Sequence, residues 1–511
     1  SPPRGHAMIG MGNSLALLAL LAWPLVTVVL FRTLSAERAL IWAVLGGYMV
    51  LPQLSAINLP GIPAFNKETI PNLAAYAACL FILGKRPGIL PDSRLGRVLL
   101  LAFVLSPSVT VLSNLEPVQF GIERLGGLVV FNPEGLERVQ LPGLRLYDSV
   151  SALVNQLLVM LPLFLARSLL RTEEAIREIH RALVIAALIY AAPMLFEARF
   201  SPQLHSWVYG FFQHSFAQAI RGDGFRPFVF MPHALWVAFF AFMCAMAAMT
   251  LLLLAPAGRR AGQVLALLLT LGLVVICRSW GPIGLTLAFL PMLVLLRPRR
   301  QLGIAALLAV VVIAFPLLRG SGLLPTAALV ERIAEVNAER AQSLEYRFDN
   351  EDAVIAHVQE RLLFGWGGWG RFVPHDPETG ATHIVVDGHW IITIGHYGWL
   401  GYLALFGLLA LPLLSLWWQA RKPEAPPVPL AVSALALILA ANLFDLLPNA
   451  TIIPFTWLMV GALLGHAEEM ARQIAETRRR NLARRHEGLV LGATTAERPP
   501  LVQPKGKRTL L

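Results

Sequence analysis

Charge is what this chain has least of. Asp, Glu, Lys and Arg make up 14% of its 511 residues, against 56% hydrophobic. An ordinary soluble domain carries about 25% charge, so a soluble globular protein is excluded. Cysteine is also scarce. Cys79, Cys244 and Cys277 fall inside apolar runs, with no metal-ligand spacing and no disulfide framework. Walker A and GxGxxG segments are missing, which argues against an ATP-driven machine. The residue-by-residue alternation of a membrane β-barrel is missing too.

What the chain has instead is apolar length. Runs recur that are about long enough to cross roughly 30 Å of hydrocarbon. Candidate spans lie near 14–31, 39–57, 69–84, 97–113, 150–166, 182–196, 233–254, 262–277, 281–296, 302–318, 391–415, 428–447 and 451–466. In lipid only a helix satisfies the backbone of such a segment. The expected fold is all-α: a polytopic transmembrane helix bundle of about 12–13 spans, with one large external loop containing short helices.

The connectors alternate in character. One set is short and basic: Arg32/Arg38, Lys85/Arg86/Arg94/Arg97, Arg167/Arg171/Arg177/Arg181, Arg259/Arg260, Arg297/Arg299/Arg300 and Arg421/Lys422. The other contains three long loops, near 114–149, 197–232 and 319–390. The last has six Lys/Arg and eleven Asp/Glu, acidic inside a chain of net charge +11. The positive-inside rule puts the basic set in the cytoplasm and the long loops outside. In a bacterium with two membranes, outside means the periplasm. The overall positive charge then belongs to loops facing anionic lipid, not to nucleic-acid binding. Because Arg32 and Arg38 follow the first run in place of a small-residue cleavage site, no cleavable signal peptide is expected.

Four stretches follow from this reading: 1–318 with ten spans and two external loops, 319–390 as the large external loop, 391–466 with three spans, and 467–511 as a basic cytoplasmic tail. Arg472, Arg478, Arg479, Arg480, Arg484 and Arg485 suggest that the tail begins as a helix along the membrane surface.

Unusual polar residues collect in the external segments. Arg221-Gly-Asp-Gly-Phe-Arg226-Pro is turn-rich and carries two arginines. Cys277-Arg278-Ser279-Trp280-Gly281 puts a third in a tight turn between two spans. An interfacial arginine can simply snorkel, but outside the membrane the positive-inside bias counts against that. Arg226, Arg278 and, more weakly, Arg221 are candidates for holding an anion, because the guanidinium fork suits phosphate.

Asp387 precedes the next span and reads either as a helix N-cap or as a carboxylate that activates an acceptor hydroxyl. His389, two residues on, is either structural or the base itself. Within the long loop, Asp349 to Leu363 reads as an amphipathic helix, with Val354, Val358 and Leu362 on one face. Phe364-Gly-Trp366-Gly-Gly-Trp369-Gly370 stops it. Trp366 and Trp369 read equally as sugar-stacking platforms and as interfacial anchors.

In their order, these pieces resemble the O-antigen ligase/polymerase family of bacterial envelope glycosyltransferases. GFRPFVFMPHALW, CRSWGPIG, SLEYRFDNEDAVIAHVQERLLFGWGGWGRF and DGHWIITIGHYGWLGYLALF carry the likeness, over roughly residues 200–415. The first half of the chain matches in hydropathy alone. The resemblance implies a multi-pass protein of the bacterial inner membrane that works on its periplasmic face without a cofactor or metal. Its donor would be a polyprenyl-diphosphate-linked oligosaccharide and its acceptor a glycan. Arg226 and Arg278 stand where the family holds the diphosphate, and Arg347 lies in the loop that closes over the sugars. Counted back from Gly398, Asp387 stands where ligases carry histidine and Gly388 where they carry asparagine. That departure leans towards polymerase-like members, which build O-antigen or exopolysaccharide. Flipping and chain-length control would fall to partner proteins. A ligase acting on lipid A core, or another glycan transferase, is the alternative within the family. A lipid-linked sugar flippase or exporter is the non-enzymatic one, and would be expected to bury charges in mid-span.

Overall fold

A computed structural model describes residues 12–58, 63–120, 122–125, 128–131, 140–377 and 379–496. Each expected span is a helix. The first six are α1 (Ser14–Thr33), α2 (Ala36–Val50), α3 (Thr69–Phe81), α4 (Arg94–Leu112), α5 (Leu146–Leu169) and α6 (Glu173–Phe200). A short α7 (Leu204–Tyr209) sits in the second long loop. Then come α8 (Ala234–Leu254), α9 (Arg260–Ile276), α10 (Trp280–Leu295) and α11 (Pro298–Gly320). The third long loop holds α12 (Thr326–Val336) and α13 (Ala338–Val358). Last are α14 (His389–Ala420), α15 (Leu430–Asp445) and α16 (Pro454–Ala496). The described strands pair only as two-stranded ribbons.

Local chemistry starts several of these helices. Asn13, Ser35, Ser93 and Thr172 are N-caps whose side chains accept a backbone N–H from the first turn. Among the described residues, eight helices are long and apolar enough to cross a membrane, and α3, α10 and α15 are shorter apolar ones. Burial sorts them into layers. Nearly every residue of α15, and most of α8, is enclosed by other helices. By contrast α1, α9 and α10 expose Leu25, Leu265, Leu268, Leu287 and Leu295. In water that apolar surface would cost roughly 25 cal/mol per Å²; against lipid it costs nothing. The fold is an all-α polytopic membrane bundle.

The two kinds of connector collect at opposite ends. At one, Arg38 pairs with Glu178 at 3.0 Å, and Arg167 with both Asp92 and Glu468. At the other, the second long loop meets the α2–α3 connector and the first long loop meets the third. Lys67 Nζ donates to Phe230 O at 2.7 Å, and Asn114 Nδ2 to Gly365 O at 2.9 Å.

Several boundaries differ from expectation: α2 ends at Val50 rather than near residue 57, where Ala56–Ile57 is a short strand, and α6 begins at Glu173 rather than near residue 182. The loop helix begins at Ala338 rather than near Asp349, because the stretch from 338 offers no Gly or Pro to stop it. Its buried face is as expected, with Val354 and Val358 enclosed, but Leu362 lies beyond the helix and is exposed. The basic tail does not begin as a separate surface helix. It continues α16 without a break through Ala496, since no Gly or Pro interrupts the residues after His466 until Gly488. Residues 497–511 lie outside the described part.

Candidate active site

The three candidate arginines meet at the long-loop end. Ile220–Arg221 pairs antiparallel with Gly224–Phe225. This small hairpin rests on the turn between α9 and α10. Arg278 Nη1 donates to Arg221 O at 2.9 Å, and buried Arg226 donates from Nη2 to Ser279 Oγ at 2.6 Å. Gly224 passes directly beneath the Arg278 guanidinium, where a Cβ would collide with it. Arg278 has φ +49°, in the left-handed region that disfavours a side chain. Its guanidinium is exposed, as is Arg221, whereas Arg226 is 2% exposed and serves from beneath.

Residues that the sequence did not single out, Glu197, Gln213 and Lys67, together with His233 at the mouth of α8, hold this segment in place. Glu197, buried at the end of α6, accepts N–H groups from Phe228 at 2.8 Å and Val229 at 2.7 Å on one oxygen. Its other oxygen accepts from Leu204 N at 3.1 Å. Gln213 donates to Val229 O and Met231 O. Lys67 reaches in from the α2–α3 connector to Phe230 O, and burial lowers its pKa to about 7 against the opposing effect of Glu68. His233 caps α8: Nδ1 accepts from Leu235 N, and Nε2 lies 2.8 Å from Gln218 Oε1. Burial, helped by the charge of Arg226, lowers its pKa to about 3, so it is a neutral cap. A carboxylate directly after an apolar run is the sequence signal that could have flagged Glu197.

Asp387 is not the N-cap of α14; Gly388 occupies that position. Asp387 instead pairs with Arg347 of α13, Oδ2 to Nη2 at 3.1 Å, and both remain partly exposed. Gly388 is required because a Cβ there would collide with Leu447 O. His389 N donates to Leu446 O at 3.0 Å, fixing the start of α14 on the turn after α15. The His389 ring faces inward, 6.3 Å from Phe406. Asp387 and His389 thus share a turn but point into different surroundings.

The glycine–tryptophan segment docks on a break in α14. Gly398 has φ +61° and ψ −164°, which interrupts the helix. Trp366 N donates to Gly395 O at 2.8 Å and Gly367 N to His396 O at 3.0 Å. In return Trp399 N donates to Leu362 O at 2.9 Å and Leu400 N to Leu363 O at 3.1 Å. Arg371, buried, ties this segment to the first long loop. It donates to Trp366 O at 3.2 Å, Glu116 O at 3.0 Å and Pro142 O at 2.9 Å. Trp366 is a packing residue: its ring stacks on His357 at 4.3 Å, and the Arg361 guanidinium lies over it. Trp369 differs. It is 66% exposed, has φ +62°, and borders a cleft of about 430 Å³ with Asp148, Ser151, Asn155 and Tyr397.

The structure therefore brings Arg221, Arg226 and Arg278 together, and separately Asp387 with Arg347. No three described His, Cys, Asp or Glu side chains converge to hold a metal ion. Among known proteins, no family model and no curated protein matches the chain.

Proposed function

We propose that this protein is a membrane glycosyltransferase that moves an oligosaccharide from a polyprenyl diphosphate to a sugar hydroxyl, joining repeat units into O-antigen or exopolysaccharide. The observation that carries this is the strained, exposed Arg278, held at φ +49° over Gly224 with Arg221 and Arg226 beside it. Backbone strain is retained where surrounding contacts enforce it, and function is a common reason.

The exposed forks of Arg278 and Arg221 take the diphosphate, while Arg226 fixes the turn through Ser279. The acceptor hydroxyl attacks the anomeric carbon. The bond from that carbon to the diphosphate oxygen breaks, and its electron pair leaves with polyprenyl diphosphate. Fixed guanidinium groups stabilise the growing charge. The hydroxyl proton passes to Asp387, which Arg347 releases as the acceptor arrives; His389 is the second candidate. A single displacement inverts the anomeric centre. The cleft beside Trp369 suits a sugar, with an aromatic face next to carboxylate, hydroxyl and amide groups. The third long loop closes over the reactants and excludes water. On this reading the long-loop end faces the periplasm and the membrane is the bacterial inner one.

An exporter is the weaker reading. Of the buried charged residues, Lys67, Arg226 and Arg371 lie in connectors, and Arg167, Glu197, Arg319, Asp445 and Glu468 sit near helix or span ends rather than along a path through the middle. The test is a deletion strain re-expressing wild type or Arg278→Ala, with surface polysaccharide and lipid-linked intermediates extracted and sized. Loss of long polymer with single repeat units accumulating outside supports the polymerase. Long polymer retained on its lipid carrier indicates a ligase. Intermediates trapped in the cytoplasmic leaflet, or unchanged polymer at normal expression, sink the proposal.

A further inference from the structure

The opposite, basic end of the bundle has a concavity of its own. It measures about 420 Å³ and is lined by Lys85, Arg86, Arg167, Arg171, Glu468 and Arg472. These residues come from the α3–α4 connector, the end of α5 and the middle of α16, so the site exists only in the folded bundle.

Part of it is an ion-pair knot with a structural purpose. Arg167, 8% exposed, donates from Nε to Glu468 at 2.7 Å, from Nη1 to Gly88 O at 3.0 Å and from Nη2 to Asp92 at 2.8 Å. Asp92 N donates back to Glu468 at 2.8 Å. Arg472 bridges Asp92 at 2.9 Å and Glu469 at 3.1 Å, and Arg171 lies 3.8 Å from Glu469. These contacts satisfy Arg167 and bind three elements together.

They leave charge over. Lys85, Arg86, Arg167, Arg171 and Arg472 are five cations; Asp92, Glu468 and Glu469 are three carboxylates; the difference is +2. Lys85 and Arg86 pair with none of the three, and both are exposed at the mouth. A general excess of cations on this side would not need a cavity: Arg259 at the end of the α8–α9 connector and Arg260 at the start of α9 are both exposed.

Exposed apolar residues flank the cationic pair of the α3–α4 connector in the chain. Phe81 is 86% exposed, Ile89 48% and Leu90 53%, and all lie within five residues of the Lys85–Arg86 pair. Cations beside exposed apolar groups match an amphiphile, with its anionic head in the cavity and its chains along the helices.

We infer that this cavity binds a phosphate group, carried by an anionic phospholipid of the adjoining leaflet. Its phosphate pairs with Lys85 and Arg86 over a floor made by Arg167 and Arg171, while Phe81, Ile89 and Leu90 meet the acyl chains. Bound lipid would then clamp the α3–α4 connector to α16.

The full chain, purified in dodecyl maltoside, would be titrated with dioctanoyl phosphatidylglycerol, dioctanoyl phosphatidylcholine and inorganic phosphate. Three proteins enter: wild type, Lys85→Ala/Arg86→Ala, and Arg259→Ala/Arg260→Ala as a charge-matched control. Both pairs are exposed, and an unchanged melting midpoint verifies folding. We expect saturable phosphatidylglycerol binding that weakens roughly 10- to 30-fold in the Lys85/Arg86 variant and not in the control. Competition by inorganic phosphate would assign recognition to the phosphate alone; its failure to compete would assign it to the lipid as a whole. Absence of saturable binding, equal loss in the control, or equal affinity for the zwitterionic lipid would each overturn the inference.

Discussion

Replacing Gly398 by alanine tests how the long loop is held. At φ +61° and ψ −164° this position lies in a region reserved for glycine, where another residue costs of order 1–3 kcal/mol. Space is closed as well. A Cβ on Gly398 would overlap the Leu363 carbonyl and the Phe364 nitrogen, both main-chain atoms that no rotamer change can move. The approach is mutual, since a Cβ on Gly365 would come within 2.5 Å of His396. The variant must therefore lift Leu362–Gly367 away from α14. That forfeits the hydrogen bonds donated by Trp366, Gly367, Trp399 and Leu400, at about 1 kcal/mol each. If α14 straightens instead, the strain vanishes but the same four bonds are lost. Either way local opening becomes easier by about 3–5 kcal/mol, which is more than 100-fold in amide exchange. Hydrogen–deuterium exchange of the detergent-solubilised protein reads this directly. We expect those four amides to lose protection while α8 and α15 keep theirs. Protection within about threefold of wild type at the four amides would refute the reasoning.

Gly224→Ala should push the Arg278 guanidinium aside without removing its charge, so the protein folds normally but polymer output falls; unchanged polymer length at normal expression would show that its position is immaterial. Arg371→Ala should lower the melting midpoint and expose the third long loop to protease, because three carbonyls from two loops lose their donor; equal protease resistance would contradict this. Glu351 gives a pH dependence. Burial, opposed by Arg319, raises its pKa from 4.5 to about 7. Folded α13 then holds a proton that the unfolded loop has released, so stability is lost as pH rises from about 4.5 through about 7. Protection of α13 should fall between pH 5 and 8 in wild type, and Glu351→Gln should flatten that slope; a slope unchanged in the variant would assign the effect elsewhere.

Hydropathy and charge decided the outline of this protein unaided. A span must be apolar along its whole length, so α1, α8 and α11 are visible one segment at a time. Connector charge is equally local, which is why the basic and long-loop sets separate before any contact is known. The Arg226 and Arg278 segments could be noticed as arginines among glycines in external turns. Their meeting could not, since it joins residues 52 positions apart through Ser279 and the Arg221 carbonyl. Nor could the different fates of two similar tryptophans: Trp366 is covered by His357 and Arg361, while Trp369 faces a cleft. Asp387 looked like a cap because Asp favours that position, yet the close approach of Leu447 O gave the cap to Gly388 and left Asp387 for Arg347. Lateral hydrophobicity and charge are properties of a segment, and the sequence by itself determined them. Which polar groups face each other depends on distant backbones approaching within a few ångströms, and only the packed bundle decides that.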